Sequence, residues 1–372
     1  MKTLLLARAD VQMIAERVGV NGLMDELIRR LALAFRQYDP SIVSIPARAG
    51  FSYATPNPGL IEWMPVMAGN KVTIKVVGYH PTNPALRNLP TIISTINAYD
   101  TRTGHWLSVA DGNLLTALRT GAASAVASQL LAHPESRIVG IIGAGMQAIT
   151  QLHALSRVYS LEAALVYDVD LQANRTFRDR AAFLDLEIGV VDAGSLDFLV
   201  RSADILCTCT SVEIGAGPVF ADGEHKPWLH VNAVGSDFPG KFEVPLPFLQ
   251  RSFVCPDFPE QAIREGECQR LAPHEIGPML AEVVKNPERY QHAREITTVF
   301  DSTGWALEDM VVLDMFCDYA ADLGIGSLAE IESVAPDPRD PYFFVHQSDK
   351  LPLEKLEYMR AGKDGNGLFV ER

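Results

Sequence analysis

Among the residues of this chain that could do chemistry, the first that spacing ties together are glycines. After Arg137, Ile138 to Ile142 is an apolar run that leads into Gly143-Ala144-Gly145-Met146-Gln147-Ala148, a Gly-x-Gly-x-x-Ala pattern, and apolar residues at helical spacing follow (Leu152, Leu155, Val158). A buried parallel strand, a tight turn and a helix produce this order. Gly143 would permit the turn, Gly145 would let backbone approach a pyrophosphate, and Ala148 would let the helix pack close to its strand, with the phosphates at the helix N-terminus. A second apolar run, Ala163 to Tyr167, ends in Asp168, twenty residues after Ala148. A carboxylate there can accept both hydroxyls of a ribose and would repel a 2′-phosphate, so the pattern reads as a site for NAD. Asp170 reads instead as the cap of the next helix.

A second group follows the apolar run Leu229 to Val234: Gly235-Ser236-Asp237-Phe238-Pro239-Gly240-Lys241. In an open α/β sheet ligands sit outside the carboxyl ends of the strands, which favours Asp237 and Lys241 as site residues. The same loop also fits an ordinary Asx-turn with a solvated lysine. Arg119 lies in a stretch of small residues and offers a bidentate fork for a carboxylate, although a surface arginine would look the same. Arg48 and Lys75 fall in predicted strands, and Glu62 stands between Ile61 and Trp63 in another. Such charges either point to solvent by ordinary alternation or line a cleft, and periodicity does not decide between these.

The elements that must position these residues are of two kinds. Leu23 to Phe35 has helical spacing. Ser44 to Ala54, Leu60 to Met67, Lys71 to Val77 and Thr91 to Tyr99 read as strands separated by turn residues, and the Asp100–Gly104 turn with Trp106 to Val109 completes a hairpin. This is an antiparallel α+β region. Asn113 to Ala132 reads as a long helix whose small residues would allow close packing. Beyond Asp168, strand signals at Leu186–Val191, Asp204–Thr210, Leu229–Val234, Ser252–Cys255 and Thr297–Phe300 alternate with helical stretches, the rhythm of a Rossmann-type doubly wound parallel sheet. Gly304 to Leu323 reads as a final long helix returning to the first region, and the charged tail from Ala335 as extended chain.

The composition is that of a globular enzyme large enough for two domains, with 372 residues, 48% apolar and 21% charged. A formal charge of −14 disfavours a nucleic-acid or anionic-membrane partner and points to small molecules. The five cysteines show neither a C-x-x-C pair nor zinc spacing, so no metal is expected, and an odd count suits a reducing compartment. No run reaches the length of a membrane span, and the N-terminus lacks a secretory pattern. These features predict a cytoplasmic protein.

The segments Ile61–Val66, Lys75–Pro81, Leu115–Gly121, Gly143–Ala148, Asn232–Lys241 and Val299–Asp309, in this order, resemble the ornithine cyclodeaminase/mu-crystallin family. The resemblance implies a substrate-binding and dimerisation domain at 1–118, completed by 318–372, and an NAD-binding Rossmann domain at 119–317, in a homodimer. It implies that Arg48, Lys75 and Arg119 hold a substrate carboxylate and that Asp237 is the acid/base near the α-carbon, with Lys75 and Glu62 also in the catalytic set. Glu62 would hold the distal ammonium of a diamino acid. Thr120, Gly143, Ala144, Gly145, Gln147, Asp168, Val234, Ser236, Lys241 and Ser302 would contact NAD. Two features depart from the family pattern: Ala144 stands where asparagine is common, and the link between Arg48 and Glu62 is long. The implied reaction is NAD-dependent cyclisation of L-ornithine, or a close diamino acid such as lysine, to a cyclic imino acid such as L-proline with loss of ammonia. The alternative within the same family is an NAD(P)H-dependent cyclic imine reductase or amino-acid dehydrogenase.

Overall fold

A computed structural model describes residues 1–54, 58–184, 186–191 and 195–345. Lys2–Ala329 form one unit, and Met1 with the described residues from Glu330 form another. The described part of the second, 330–345, is irregular chain that from 336 onward runs mostly in bends, turns and one short 3-10 turn, with Arg339 paired to Asp337. The remainder of the tail, and with it the last part of the expected 318–372 segment, lies outside the described residues.

Within Lys2–Ala329 there are two sheets. The first contains β1 (Thr3–Leu6), β2 (Val43–Ser44), β3 (Ala49–Tyr53), β4 (Gly59–Ala68), β5 (Lys71–Tyr79), β6 (Ile92–Asp100), β7 (Trp106–Asp111) and, from the far end of the unit, β15 (Ser327–Ala329). Its order is β15-β1-β7-β6-β5-β4-β2, with β3 also on β4. The second contains β8 (Ile138–Ile142), β9 (Ala163–Tyr167), β10 (Glu187–Val190), β11 (Ile205–Thr208), β12 (His230–Ala233), β13 (Phe253–Pro256) and β14 (Thr298–Asp301), all parallel, in the order β10-β9-β8-β11-β12-β14-β13. The chain runs outward from β8 to β10 and then returns to β11 on the other side of β8. The switch point, where an open α/β sheet binds its ligand, is therefore at β8 and β11, where the glycine pattern ends β8.

Helices α1 (Arg8–Val18) and α2 (Val20–Gln37) follow β1, a short α3 (Asn83–Arg87) follows β5, and α4 (Gly112–Leu131) leads from β7 to β8. The crossovers carry α5 (Met146–Val158), α6 (Leu171–Ala181), α7 (Leu196–Ser202), α8 (Leu246–Arg251), α9 (Pro259–Glu265) and α10 (Leu280–Lys285), and α11 (Ala306–Leu323) returns to pack on α2, α4, β4 and β5. The small residues of α4 do allow close packing. A Cβ on Gly121 would lie 2.4 Å from the Thr150 carbonyl oxygen of α5, so only glycine permits this crossing. At the start of α11 the buried Trp305 stacks between Phe35 and Phe258, 5.6 Å from each, with Tyr38 edge-on at 4.7 Å. Removing such a ring from a core costs about 3–5 kcal/mol, which makes the start of α11 a firm support for the residues on either side.

Three sequence expectations need correction. The predicted strand Ser44–Ala54 is broken into β2 and β3 at Ile45–Arg48, where Pro46 has no amide to give a ladder, so Arg48 lies in the break and not in a strand. The first sheet is not wholly antiparallel, because β1, unread in the sequence, pairs in parallel with β7. Helix α1 was also unread: only Val11 and Ile14 of its residues are buried, too few to show a helical stripe.

Candidate active site

In β4, Ile61 and Trp63 are exposed on the outer face of the sheet, so alternation turns Glu62 and Met64 inward. Lys75 on β5 is opposite Met64, and Glu62 is opposite Val77, which places Glu62 and Lys75 on this same inner face. Lys75 is 2% exposed. Its Nζ lies 2.9 Å from Oδ1 and 2.8 Å from Oδ2 of Asp309, in the first turn of α11. Arg119 of α4 donates from Nε to Asp309 Oδ1 at 3.1 Å and from Nη1 to Glu308 Oε2 at 2.9 Å. Its Nη2 makes no hydrogen bond among the described residues. Gly304 has φ +86°, and a Cβ there would lie 2.8 Å from that Nη2, so glycine leaves room for the guanidinium. Burial, aided by the neighbouring charge of Arg119 and opposed by Asp309, lowers Lys75 to about 8. Burial likewise raises Glu308 to about 8 against the pull of Arg119.

Arg48 has its guanidinium engaged on all three nitrogens. Nη1 donates to Glu62 Oε1 at 3.1 Å, Nη2 donates to the carbonyls of Thr303 at 2.6 Å and Gly304 at 3.2 Å, and Nε lies 3.4 Å from Glu265 Oε2, an ion pair without hydrogen-bond geometry. The turn that receives Nη2 is itself held: Asp257 accepts from the Gly304 amide and the Thr303 hydroxyl, and Gln261 donates to both carbonyls. Burial raises the Glu62 carboxyl above its usual range, with Arg48 opposing and Asp237 adding.

The loop after β12 is tied to its surroundings. Gly235 donates to Glu243 Oε2, and a Cβ on it would lie 2.4 Å from Glu243 Oε1 and from the Thr210 carbonyl oxygen. Ser236, expected at the cofactor, donates its hydroxyl to the Lys241 carbonyl at 2.9 Å and so closes the loop. Lys241 Nζ donates to Asp237 Oδ1 at 2.8 Å and lies over the Tyr79 ring, 5.2 Å from its centroid. The side chains are 5% and 34% exposed respectively for lysine and aspartate, so the solvated-lysine reading of this loop is ruled out and the aspartate is the member open to a ligand. Burial opposes the lysine charge, but Asp237 and Tyr79 outweigh it and leave the ammonium more firmly protonated than usual.

At the switch point Gly143 has φ +96°, and a Cβ on it would lie 2.7 Å from the Cys209 carbonyl oxygen, whereas a Cβ on Gly145 would meet nothing within 4 Å. The first glycine makes the turn, and the second borders open space at the N-terminus of α5. Ala148, on the inner face of that helix, is fully buried. Asp168 ends β9 as expected. It accepts from the Ala144 amide at 2.6 Å and from the Asp170 amide at 2.8 Å, leaving each oxygen a further lone pair for ribose, and Asp170 caps α6 through the Gln172 amide. Val234 and Ser302 extend β12 and β14 at the same sheet end, donating their amides to the Thr208 and Ala233 carbonyls. The Ser302 hydroxyl is buried without a partner among the described residues, as a donor awaiting a ligand would be. Gln147 receives the Thr150 hydroxyl, and Thr120 turns its own to the Thr116 carbonyl. The open helix terminus, the Asp168 carboxylate and the orphaned Ser302 hydroxyl fit a dinucleotide.

The sequence-predicted residues thus lie on the inner face of β4 and β5 (Glu62, Lys75), in the break before β3 (Arg48), on α4 (Arg119, Thr120) and at the carboxyl ends of β8, β9, β12 and β14. Sequence reasoning missed Glu265, Glu308, Asp309, Asp257 and Tyr79. Glu308 and Asp309 belong to a recognised segment but look like ordinary first-turn acids, and Glu265 carries no local signal.

An L-lysine cyclodeaminase of Streptomyces rapamycinicus is 42% identical over 344 residues, spanning 92% of this chain and 99% of that protein. The solved structure of a lysine cyclodeaminase, which recognises L-lysine, L-ornithine and L-2,4-diaminobutyric acid, superposes with a TM-score of 0.88 at 44% identity, covering 92% of this chain and 99% of that one. An archaeal alanine dehydrogenase dimer with bound NAD superposes with a TM-score of 0.79 at 29% identity, covering 89% of this chain and all of that one. With residues 9–323 matching its model, the chain belongs to the ornithine cyclodeaminase/mu-crystallin family.

Proposed function

We propose that this protein cyclodeaminates an α,ω-diamino acid, L-lysine or L-ornithine, to the cyclic imino acid with release of ammonia. The observation that carries the reading is Glu62, a mostly buried carboxylate on the inner face of β4 near Lys75 and Asp237. An unpaired charge in a closed site costs several kcal/mol, so a carboxylate beyond those needed for an α-amino acid suits a second ammonium.

Arg119, through the uncommitted Nη2, and Lys75 hold the substrate carboxylate. Arg48, expected in the same clamp, has its three nitrogens engaged within the protein and instead fixes Glu62. Asp237 is held by Lys241 and takes the proton from the α-ammonium. NAD, which Gly143, Gly145, Asp168 and Ser302 would hold, would supply reversible hydride transfer at Cα, so net redox would be zero. The distal ammonium has no lone pair and must lose a proton before its nitrogen attacks Cα. Glu62, whose basicity burial raises, is the acceptor beside it. After the attack Asp237 gives its proton to the departing nitrogen and takes one from the ring nitrogen, so the nitrogen leaves as ammonia that then picks up that proton, and Glu62 gives its own proton back as the product leaves, which returns both carboxylates to their starting state. In this scheme the first sheet supplies the substrate side, about 1–118 with the returning chain from 318, and about 119–317 the NAD side.

The outer face of the first sheet exposes Phe51, Ile61, Trp63, Val76 and Ile93 on neighbouring strands, an apolar patch suited to a second copy of the chain. The proposed assembly is therefore a homodimer. Ammonia release and absorbance at the NADH band, followed together with lysine, ornithine, alanine and cyclic imines, test the function. Ammonia from a diamino acid without net NADH is the expected result. NADH accumulating with alanine, or consumed by an imine without ammonia, would favour a dehydrogenase or reductase.

A further inference from the structure

The carboxylates of the site differ in what balances them. Asp237 has Lys241, and Glu308 and Asp309 share Lys75 and Arg119. Asp257 is satisfied by the amides of Phe258 and Gly304 and the Thr303 hydroxyl. Glu62 and Glu265 have one guanidinium between them, Arg48, whose third nitrogen is spent on the carbonyls of Thr303 and Gly304. The two side chains are only 17% and 10% exposed, so water does little to offset the difference. When both are ionised the pair lacks one positive charge. The deficit shows in Glu265, which burial first, and then Glu62 and Asp237, push to about 7 against the pull of Arg48.

Glu265 is also held in place. It ends α9, its carbonyl receives the Ser236 hydroxyl at 3.4 Å, and the next residue, Gly266, is packed so that a Cβ would lie 2.5 Å from Asp301 Oδ2. The amides of Glu267 and Cys268 donate to that same Asp301 carboxylate. This anchors the chain at Glu265 and just after it to the loop after β12 and the end of β14.

We infer that Glu265 is a specificity-determining residue that joins Glu62 in a two-carboxylate seat for the distal ammonium of the substrate, with Arg48 between the carboxylates as their permanent counter-ion. The inference rests on the proposed function and extends it to a residue from the other side of the site. An ammonium supplies the missing positive charge and three donors, enough for one bond to each carboxylate with one to spare. A substrate of the same length without the distal nitrogen supplies neither.

The test compares L-lysine with L-norleucine, which has a methyl in place of the terminal aminomethyl group, by calorimetric titration of NADH-loaded protein, where no hydride can be taken and lysine is not consumed. Wild type should prefer lysine, and Glu265→Gln should reduce the lysine-to-norleucine affinity ratio by on the order of tenfold, the scale of one lost charge-assisted hydrogen bond. Norleucine affinity itself should change little. Glu265→Asp keeps the charge and should fall between the two, which also serves if the glutamine variant does not fold. An unchanged ratio in the variants, or a wild type that binds norleucine as well as lysine, overturns the seat. Ammonia release by wild type is scored separately. Ammonia with an unchanged ratio removes Glu265 and leaves the proposed function, whereas a reduced ratio without ammonia leaves the ammonium seat and removes cyclodeamination.

Discussion

Replacing Glu62 with glutamine keeps the shape of the side chain and removes the charge that the distal ammonium is proposed to meet. In the structure Glu62 is engaged by Arg48 at 3.1 Å, and Arg48 retains Glu265 and two carbonyls when that charge is lost, so the local framework has other supports. The loss on the substrate is then that of a hydrogen bond to a charged group in a mostly buried place, about 1.5–3 kcal/mol. At about 1.4 kcal/mol per decade this predicts a fall in kcat/KM for lysine or ornithine of roughly 10- to 150-fold. The comparison reaction is NADH-dependent reduction of the preformed cyclic imine, which brings no distal ammonium and should keep its rate within about threefold, since uniform effects on the site are small. Steady-state rates for both reactions on both proteins provide the assay. An equal loss on the two substrates would mean that Glu62 supports the site in general, and the diamino-acid reading would lose the observation that carries it.

Other outcomes follow from the same geometry. Asp237→Asn should retain NAD binding, measured by fluorescence titration, but lower turnover by roughly 10²-fold or more, as expected for a lost proton-transfer group; near-normal turnover would exclude Asp237 as the acid/base. Gly304→Ala should cost about 1–3 kcal/mol of stability, because φ is +86° and the new Cβ would lie 2.8 Å from Arg119 Nη2, and should also raise KM by displacing the carboxylate clamp; unchanged Tm and KM would show that the turn yields freely. For stability against pH, Glu265 and Asp301 stand at about 7 and Glu267 and Glu308 at about 8 in the folded protein, all above their unfolded values. His153 and His230 are lowered to about 4 and about 3, so they oppose this trend only below the unfolded histidine value. Between about pH 6.5 and about 7.5 the folded state therefore binds more protons than the unfolded one, and stability should fall as pH rises. A Tm of the ligand-free protein that rises across this window would contradict the assignment of these acids as protonated.

Sequence reading succeeded where the signal was local. Gly143, Gly145 and Asp168 are linked by one strand, one turn and one helix, so their spacing carries the geometry. Asp237 and Lys241 share one loop, and the predicted strands and long helices came from periodicities that burial produces directly. The charge pairs were not legible. Lys75 meets Asp309 across 234 residues and Arg119 meets it across 190, so neither partner can be read from its neighbours. Arg48 shows the limit of pattern: an apolar alternation ran through Ser44–Ala54, but the missing amide of Pro46 broke the strand and freed Arg48 to reach both Glu62 and the turn before α11. Glu265, at the end of a short charged helix, looked like any solvated helix terminus until the fold buried it against Arg48.

The central claim is that one NAD molecule takes a hydride from Cα of a diamino acid and gives it back to the cyclised product within the same site. It is tested most directly with L-lysine or L-ornithine carrying deuterium at Cα, in the presence of excess unlabelled NAD. Mass spectrometry and proton NMR of the cyclic imino acid should show the deuterium retained at the carbon bearing the carboxylate, with ammonia formed in equal amount and no deuterium in the bulk nicotinamide pool. Loss of the label to that pool, or a product without deuterium at that carbon, would contradict the account.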